Sequence, residues 1–238
     1  MAEPRLRCCL EDLLKFTLEC HVKGTLEIDL GLPTDFCSYL LLNHPISDTN
    51  STQGDTLHPL YKHLSSTLFE SIMSNRVSGT HSWDQSSQLV NSLEAVDFEL
   101  HVQEPFFTQI KDGFKTIEGR CAGGDYNRIG SGALILFNKC LVLEVKEVRS
   151  YGSFSDMLKA ERLEKVLPGV KTIEEGVQVY RRFYSEDKER SSGLIAICIE
   201  KLAAQPYMYL AKFVSGLGYK GIRSLLGLNP TNSHEFSS

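Results

Sequence analysis

The sequence predicts an α+β protein: a small β-barrel of five or six strands with flanking helices, preceded by a helical N-terminal extension. Three observations carry this. Apolar residues recur at helical spacing up to about residue 76, then switch to alternation and short continuous runs from Phe98 onward. Segments with helix-opening signals separate the later strand-like runs, as in a barrel with flanking helices. Charge changes at the same boundary: residues 1–97 hold 6 Lys+Arg against 13 Asp+Glu, whereas residues 98–202 hold 16 of each.

The elements follow in order. Leu6, Leu10, Leu13, Leu14 and Leu18 define a helix over 5–22, and Phe36, Tyr39 and Leu40 a second over 34–43. Residues 24–31 between them alternate like a short strand or turn. Residues 47–55 are polar and read as a loop. Helical spacing resumes over 57–76 through Leu60, Leu64, Leu68 and Ile72. Residues 77–93, rich in Ser, Gln and Asn, read as a mobile linker, so residues 1–96 form a helical appendage ending in a hinge.

The barrel is expected over 97–202. Phe98, Leu100 and Val102 alternate with polar residues as a first strand. Pro105 and Gly113 suit the start and stop of a helix, so the segment Lys115–Arg120 opens a strand directly after it. Residues 132–137 form a buried strand, and Leu141, Leu143, Val145 and Val148 a long one. Ser153 can cap a helix running to Leu163, and Thr172 with Glu175 forms a capping box for a helix to Phe183. Strand 193–200 closes the sheet. Residues 203–238 form an amphipathic tail whose glycines at 216, 218, 221 and 227 interrupt a long helix; it is expected to fold back over apolar barrel surface, the alternative being a basic amphipathic segment for a membrane surface or a partner.

Composition excludes several classes. At 42% hydrophobic and 23% charged, the 238 residues suit a soluble globular protein. No apolar run reaches the ~20 residues of a membrane helix, and the N-terminus carries acids inside its apolar stretch and lacks the cleavage site of a secretory signal. Seven cysteines at irregular spacing indicate reduced thiols and a cytoplasmic or nuclear setting. A pI near 5.8 opposes non-specific binding of long nucleic acid through a broad basic surface, while leaving room for a local basic cleft. Cys8, Cys9, Cys20, His21, Cys37 and His44 lack zinc-ligand spacing. The 48–59 stretch departs from a calcium loop, and Asn50-Ser51-Thr52 is a sequon that a cytosolic chain does not use. No metal or cofactor is expected.

The most informative stretch is Lys115-Thr116-Ile117-Glu118-Gly119-Arg120, which places four polar groups on one short segment behind a helix. Such groups are costly to bury unpaired. In a strand Thr116, Glu118 and Arg120 share a face. Glu118 and Arg120 can pair, and Lys115 at the strand entrance can reach a substrate carbonyl or phosphate. The alternative is a salt-bridged strand that only closes the fold. As ligand-facing charges, Lys115 and Arg120 are expected to leave stability nearly unchanged when removed. The following loop, 122–130, offers Tyr126 for stacking on a base and Arg128 for a phosphate, and also reads simply as a turn.

The string Gly113-Phe114-Lys115-Thr116-Ile117-Glu118-Gly119-Arg120 after such a helix resembles the signature of the ASCH family, whose domains have a PUA-like fold. The resemblance extends through Tyr151–Leu158, Leu167-Pro168-Gly169, Glu174–Val177, Tyr180–Ser185 and the strand Gly193–Glu200, covering roughly 97–202. It implies a cleft for RNA or a nucleoside. In some similar proteins the motif lysine, a hydroxyl three residues later and a downstream glutamate deacylate acetylcytidine. The lysine falls on Lys115; the hydroxyl position is occupied by Glu118, so a covalent route would need Thr116. The downstream glutamate falls on Glu161 or Glu164. A carboxylate activating water, with Lys115 polarising the carbonyl, is the non-covalent alternative.

The expected function is therefore an RNA-binding module whose cleft holds single-stranded or modified RNA or a nucleoside, through Lys115, Glu118, Arg120, Tyr126 and Arg128. One alternative is an amidohydrolase acting on an acylated nucleoside with Lys115, Thr116, Glu118 and Glu161 or Glu164. The other is an adaptor binding a protein partner through residues 1–96 or 203–238.

Overall fold

A computed structural model describes residues 3–45, 57–78 and 85–228. The polar loop at 47–55, with its calcium-like and sequon readings, lies outside the described residues, as do 229–238. The chain divides into two compact units, Met1–Glu94 with Ala204–Ser238, and Ala95–Ala203.

In the first unit, α1 (Glu3–Val22), α2 (Thr34–Leu41), a short antiparallel pair β1 (Asn43–Pro45) and β2 (Leu57–Pro59), α3 (Leu60–Ser78) and α4 (Gln85–Glu94) follow in order. The leucines that announced α1 are its buried stripe: Leu10, Leu13, Leu14 and Leu18 are essentially inaccessible. The segment 24–31 forms turns and bends rather than a strand. The expected linker is also corrected. Its residues 85–93 form α4, because Leu89, Val90 and Leu93 recur at helical spacing and bury completely. Polar composition concealed that stripe.

The second unit holds the sheet. Its elements are β3 (Phe98–Leu100), α5 (Phe106–Lys111), β4 (Ile117–Cys121), a 3₁₀ turn (Gly124–Arg128), β5 (Leu134–Phe137), β6 (Leu141–Tyr151), α6 (Phe154–Ala160), α7 (Leu163–Val166), α8 (Ile173–Arg181), α9 (Glu186–Ser192) and β7 (Leu194–Lys201). Five strands in the order β3-β5-β6-β7-β4 curl into a half-barrel. Only β3 and β5 run parallel. The long β6 pairs with β5 through its first half and with β7 along most of its length, and a bulge between Val145 and Glu147 lets it bend between them. The sheet stays open between its edge strands, β3 and β4.

Helices α6 to α8 cover one face. Phe154, Met157, Leu158, Val166, Leu167 and Tyr180 pack on Ile117, Cys121, Leu194 and Ala196. The expected caps form: Ser153 accepts from the Asp156 amide, and Thr172 and Glu175 make a reciprocal capping box. The helix from Ser153 nevertheless stops at Ala160, and Arg162, at φ 60°, separates it from α7. The sequence reading also missed α9, capped by Ser185 with three acids in its first turn.

The chain then returns to the first unit as α10 (Pro206–Leu225), broken at Gly218, whose φ of 63° and ψ of 176° leave the helical region. The expected placement of the tail is corrected here. It packs within the first unit, against α1, α3 and α4. Tyr207 meets Phe16 edge-on at 5.5 Å and Tyr219 meets Phe36 at 4.9 Å. Among the described residues no helix is long and apolar enough to cross a membrane.

Candidate functional site

The site grows from the turn that joins α5 to β4. Gly113 adopts φ 81°, a conformation that glycine reaches without a Cβ penalty, and the carbonyl of Gln109 accepts from the amides of both Phe114 and Lys115. This turn aims Lys115 inward. Its ammonium donates to the carbonyls of Ile117 at 2.8 Å and Val166 at 2.5 Å, and pairs with Glu118 Oε2 at 3.0 Å. An ammonium has three donors, and all three are engaged. Lys115 is 2% exposed, and burial lowers its pKa while Glu118 opposes that shift.

Glu118 also meets Arg120. Arg120 Nε lies 2.8 Å from Glu118 Oε1, a close ion pair not aligned as a hydrogen bond. Its Nη2 donates to the carbonyl of His101 at 2.6 Å, and Tyr184 bonds to the same side chain. His101 follows β3 directly, so Arg120 ties together the two open edges of the sheet. Burial pulls the Arg120 pKa down, but Glu118, Tyr184 and Tyr126 outweigh it and leave the net shift upward.

Between these edges lies a cavity of about 290 Å³ lined by Lys115, Glu118, Gly119 and Arg120 from the motif and by His101, Phe106, Tyr180, Phe183 and Tyr184 around them. Tyr180 stacks on Phe154 at 4.2 Å between ring centres, and burial keeps its hydroxyl well above the usual phenol pKa. That hydroxyl lies against the Gly119 backbone without a well-formed hydrogen bond. A Cβ at position 119 would come within 2.4 Å of it, so glycine is what admits the tyrosine here. Phe183, an apolar ring that lines the cavity, is 46% exposed.

A second cavity, of about 380 Å³, is lined by Thr116, Arg149, Glu161, Arg162, Lys165 and Cys198, among others. Here Glu161 accepts from Arg149 Nε and Nη2 at 2.5 Å each and from the Tyr151 hydroxyl at 2.6 Å. The Arg149 hydrogen bonds, with that from Tyr151, hold the Glu161 carboxyl below its ordinary pKa against the effect of burial.

The residues singled out from sequence thus separate. Lys115, Glu118 and Arg120 converge on one cavity. Thr116 does not share it: it precedes β4, outside the alternation assumed for it, and lines the second cavity with Glu161. Glu164 is exposed and lines neither. Tyr126 is half-buried and close enough to act electrostatically on Arg120, while Arg128 is exposed and pairs with Asp125 at 3.5 Å. The premise that Lys115 and Arg120 are ligand-facing charges that the fold does not need is corrected: Lys115 is buried and triply bonded, and Arg120 is held by Glu118 and the His101 carbonyl. Sequence reasoning also missed Phe106, Tyr180, Phe183 and Tyr184 as site residues. The available signal was the aromatic and basic run Tyr180-Arg181-Arg182-Phe183-Tyr184, which no local rule ties to a strand so far back in the chain.

Fold and motif define a small domain with a lined cavity between open sheet edges. Residues 100–203 match the ASCH domain family, and the chain belongs to that family. ASCH domains are PUA-like and generally bind RNA. The chain is similar to the solved hypothetical protein PH0355, with 46% identity over 44% of this chain and 98% of that one, at a TM-score of 0.43. It is also similar to protein PF0455 from Pyrococcus furiosus, with 49% identity over 45% of this chain and 98% of that one, at a TM-score of 0.41. No curated protein matches the chain.

Proposed function

We propose that this protein binds RNA by holding one unstacked nucleobase in the cavity between β3 and β4. The observation that carries this reading is the coexistence in one space of a carboxylate, a guanidinium and four aromatic rings: Glu118, Arg120, Phe106, Tyr180, Phe183 and Tyr184. Single-stranded RNA is read by splaying a base onto aromatic side chains and hydrogen-bonding its edge. The cavity suits one base rather than a duplex, and aromatic lining with a few fixed polar groups is the usual make-up of a small-ligand site. The zero net charge of residues 98–202 also fits recognition of a single base better than tracking of a long phosphate backbone.

The distribution of residues weighs against the hydrolase alternative. The donors of Lys115 are already taken by two carbonyls and Glu118, leaving none to polarise a substrate. Among the described residues neither serine nor threonine lines this cavity, and Thr116 and Glu161 line the other. The test is calorimetric titration of the full chain with short single-stranded oligoribonucleotides at fixed, stated salt. Arg120→Ala should weaken binding by about 10-fold or more, the scale of a lost charge-assisted contact. Equal affinity of wild type and a folded Arg120→Ala variant would remove this cavity from RNA binding.

A further inference from the structure

We propose that the nucleobase this cavity selects is guanine, an inference that rests on the nucleobase reading above. Guanine follows from a count of donors and acceptors. A carboxylate has about four lone-pair sites on its two oxygens. In Glu118, Lys115 pairs with Oε2 at 3.0 Å, and Arg120 Nε lies against Oε1 at 2.8 Å without an aligned hydrogen bond. Each oxygen therefore keeps acceptor capacity, and Glu118 presents two acceptors side by side at the cavity wall.

Arg120 supplies the complement. A guanidinium has five N–H donors; Glu118, the His101 carbonyl and Tyr184 are the partners found for Arg120, so it keeps further donors for a ligand in the cavity that it lines. The Tyr180 hydroxyl adds a buried polar group in the same wall without a well-formed hydrogen bond. The wall thus offers acceptors on Glu118 beside the remaining donors of Arg120, the two side chains being held together by the 2.8 Å contact of Nε with Oε1.

Guanine matches this order. It carries two adjacent donors, N1–H and the N2 amino group, followed by the adjacent acceptors O6 and N7. Bidentate contact of arginine with O6 and N7 is a well-matched geometry. Cytosine and adenine present only one donor group on the edge facing such a wall, and uracil places a single donor between two acceptors. Each would leave part of the carboxylate desolvated and unmatched, which is how a polar site rejects a near-isostere. Phe183, partly exposed, and Tyr184 supply the flat faces that the purine would stack on.

The experiment is titration of the full-length protein with the 5′-monophosphates of guanosine, inosine, cytidine, adenosine and uridine, at one stated salt concentration. Inosine differs from guanosine only by lacking the N2 amino group. Guanosine monophosphate should bind tightest, and inosine monophosphate about 10-fold or more weaker, the scale of one base-edge contact. Glu118→Gln should remove most of that difference, because an amide offers one acceptor where the carboxylate offered two. If the variant melts too early to be titrated, the nucleotide series on wild type decides alone. Equal binding of all five, or cytidine, adenosine or uridine monophosphate binding as tightly as guanosine monophosphate, would overturn the guanine assignment while leaving a nucleobase site in place. Failure of every mononucleotide and every oligoribonucleotide to bind would overturn both.

Discussion

Replacing Lys115 by methionine keeps an unbranched side chain, one atom shorter, and removes its charge and donors, which makes it a direct probe of how the site is held. The change leaves the carbonyls of Ile117 and Val166 and one oxygen of Glu118 without partners in a region where Lys115 is 2% exposed. Removing one partner of a buried ion pair costs about 3–5 kcal/mol. For a domain near 100 residues each kcal/mol shifts the midpoint by roughly 4–8 °C. The thermal transition of the barrel unit should therefore fall by at least ~10 °C in a calorimetric scan of the full chain. The pH dependence adds a second signature. Burial lowers the Lys115 pKa in the folded state, so between that value and the unfolded ~10.4 the unfolded chain binds more protons and wild-type stability rises with pH. The gap between wild type and Lys115→Met should widen on going from pH 7 toward pH 10. A fall of less than ~3 °C at pH 7, well under the loss expected when a buried ion pair is broken, would show that Lys115 is a replaceable surface-like charge and refute this account.

Two further outcomes follow from the same geometry. Gly119→Ala should cost about 1–3 kcal/mol by overpacking, since its Cβ meets the Tyr180 hydroxyl at 2.4 Å and Met157 Cε at 2.6 Å. Adding Tyr180→Phe should recover part of that loss, and failure to do so in urea denaturation would locate the strain elsewhere. Glu161 has a lowered folded pKa, so its stabilisation is present above the unfolded carboxyl value of about 4.3 and is lost as pH falls through the folded value. Wild type should thus exceed Glu161→Gln in stability at about pH 6, with the difference shrinking below about pH 4; a constant difference across that range in parallel melts would contradict the pairing with Arg149.

Local chemistry along the chain was enough for the elements that carry their own signals. The leucine stripe of α1, the caps of Ser153 and Thr172, and the apolar runs of β5 and β7 are written in neighbouring residues, because hydrogen-bond closure at a helix end and side-chain alternation in a strand act over a few positions. The motif at Lys115–Arg120 was legible as a polar cluster for the same reason. Its wiring was not. Whether Lys115 faces a ligand or the carbonyl of Val166, 51 residues away, depends on where α7 docks against the start of β4. Tyr180 enters the site only because α8 packs over Gly119, and His101 only because the sheet order leaves β3 and β4 as opposite open edges. The same holds for the tail: its apolar residues announced that it would be buried, but α4 and α1 provide its surface, and their stripes became available only once the first unit had assembled. Sequence determines which faces must be buried and which polar groups need partners. The tertiary structure decides which distant face and which partner, since burial and ion pairing are satisfied by any complementary surface that the chain's topology brings into reach.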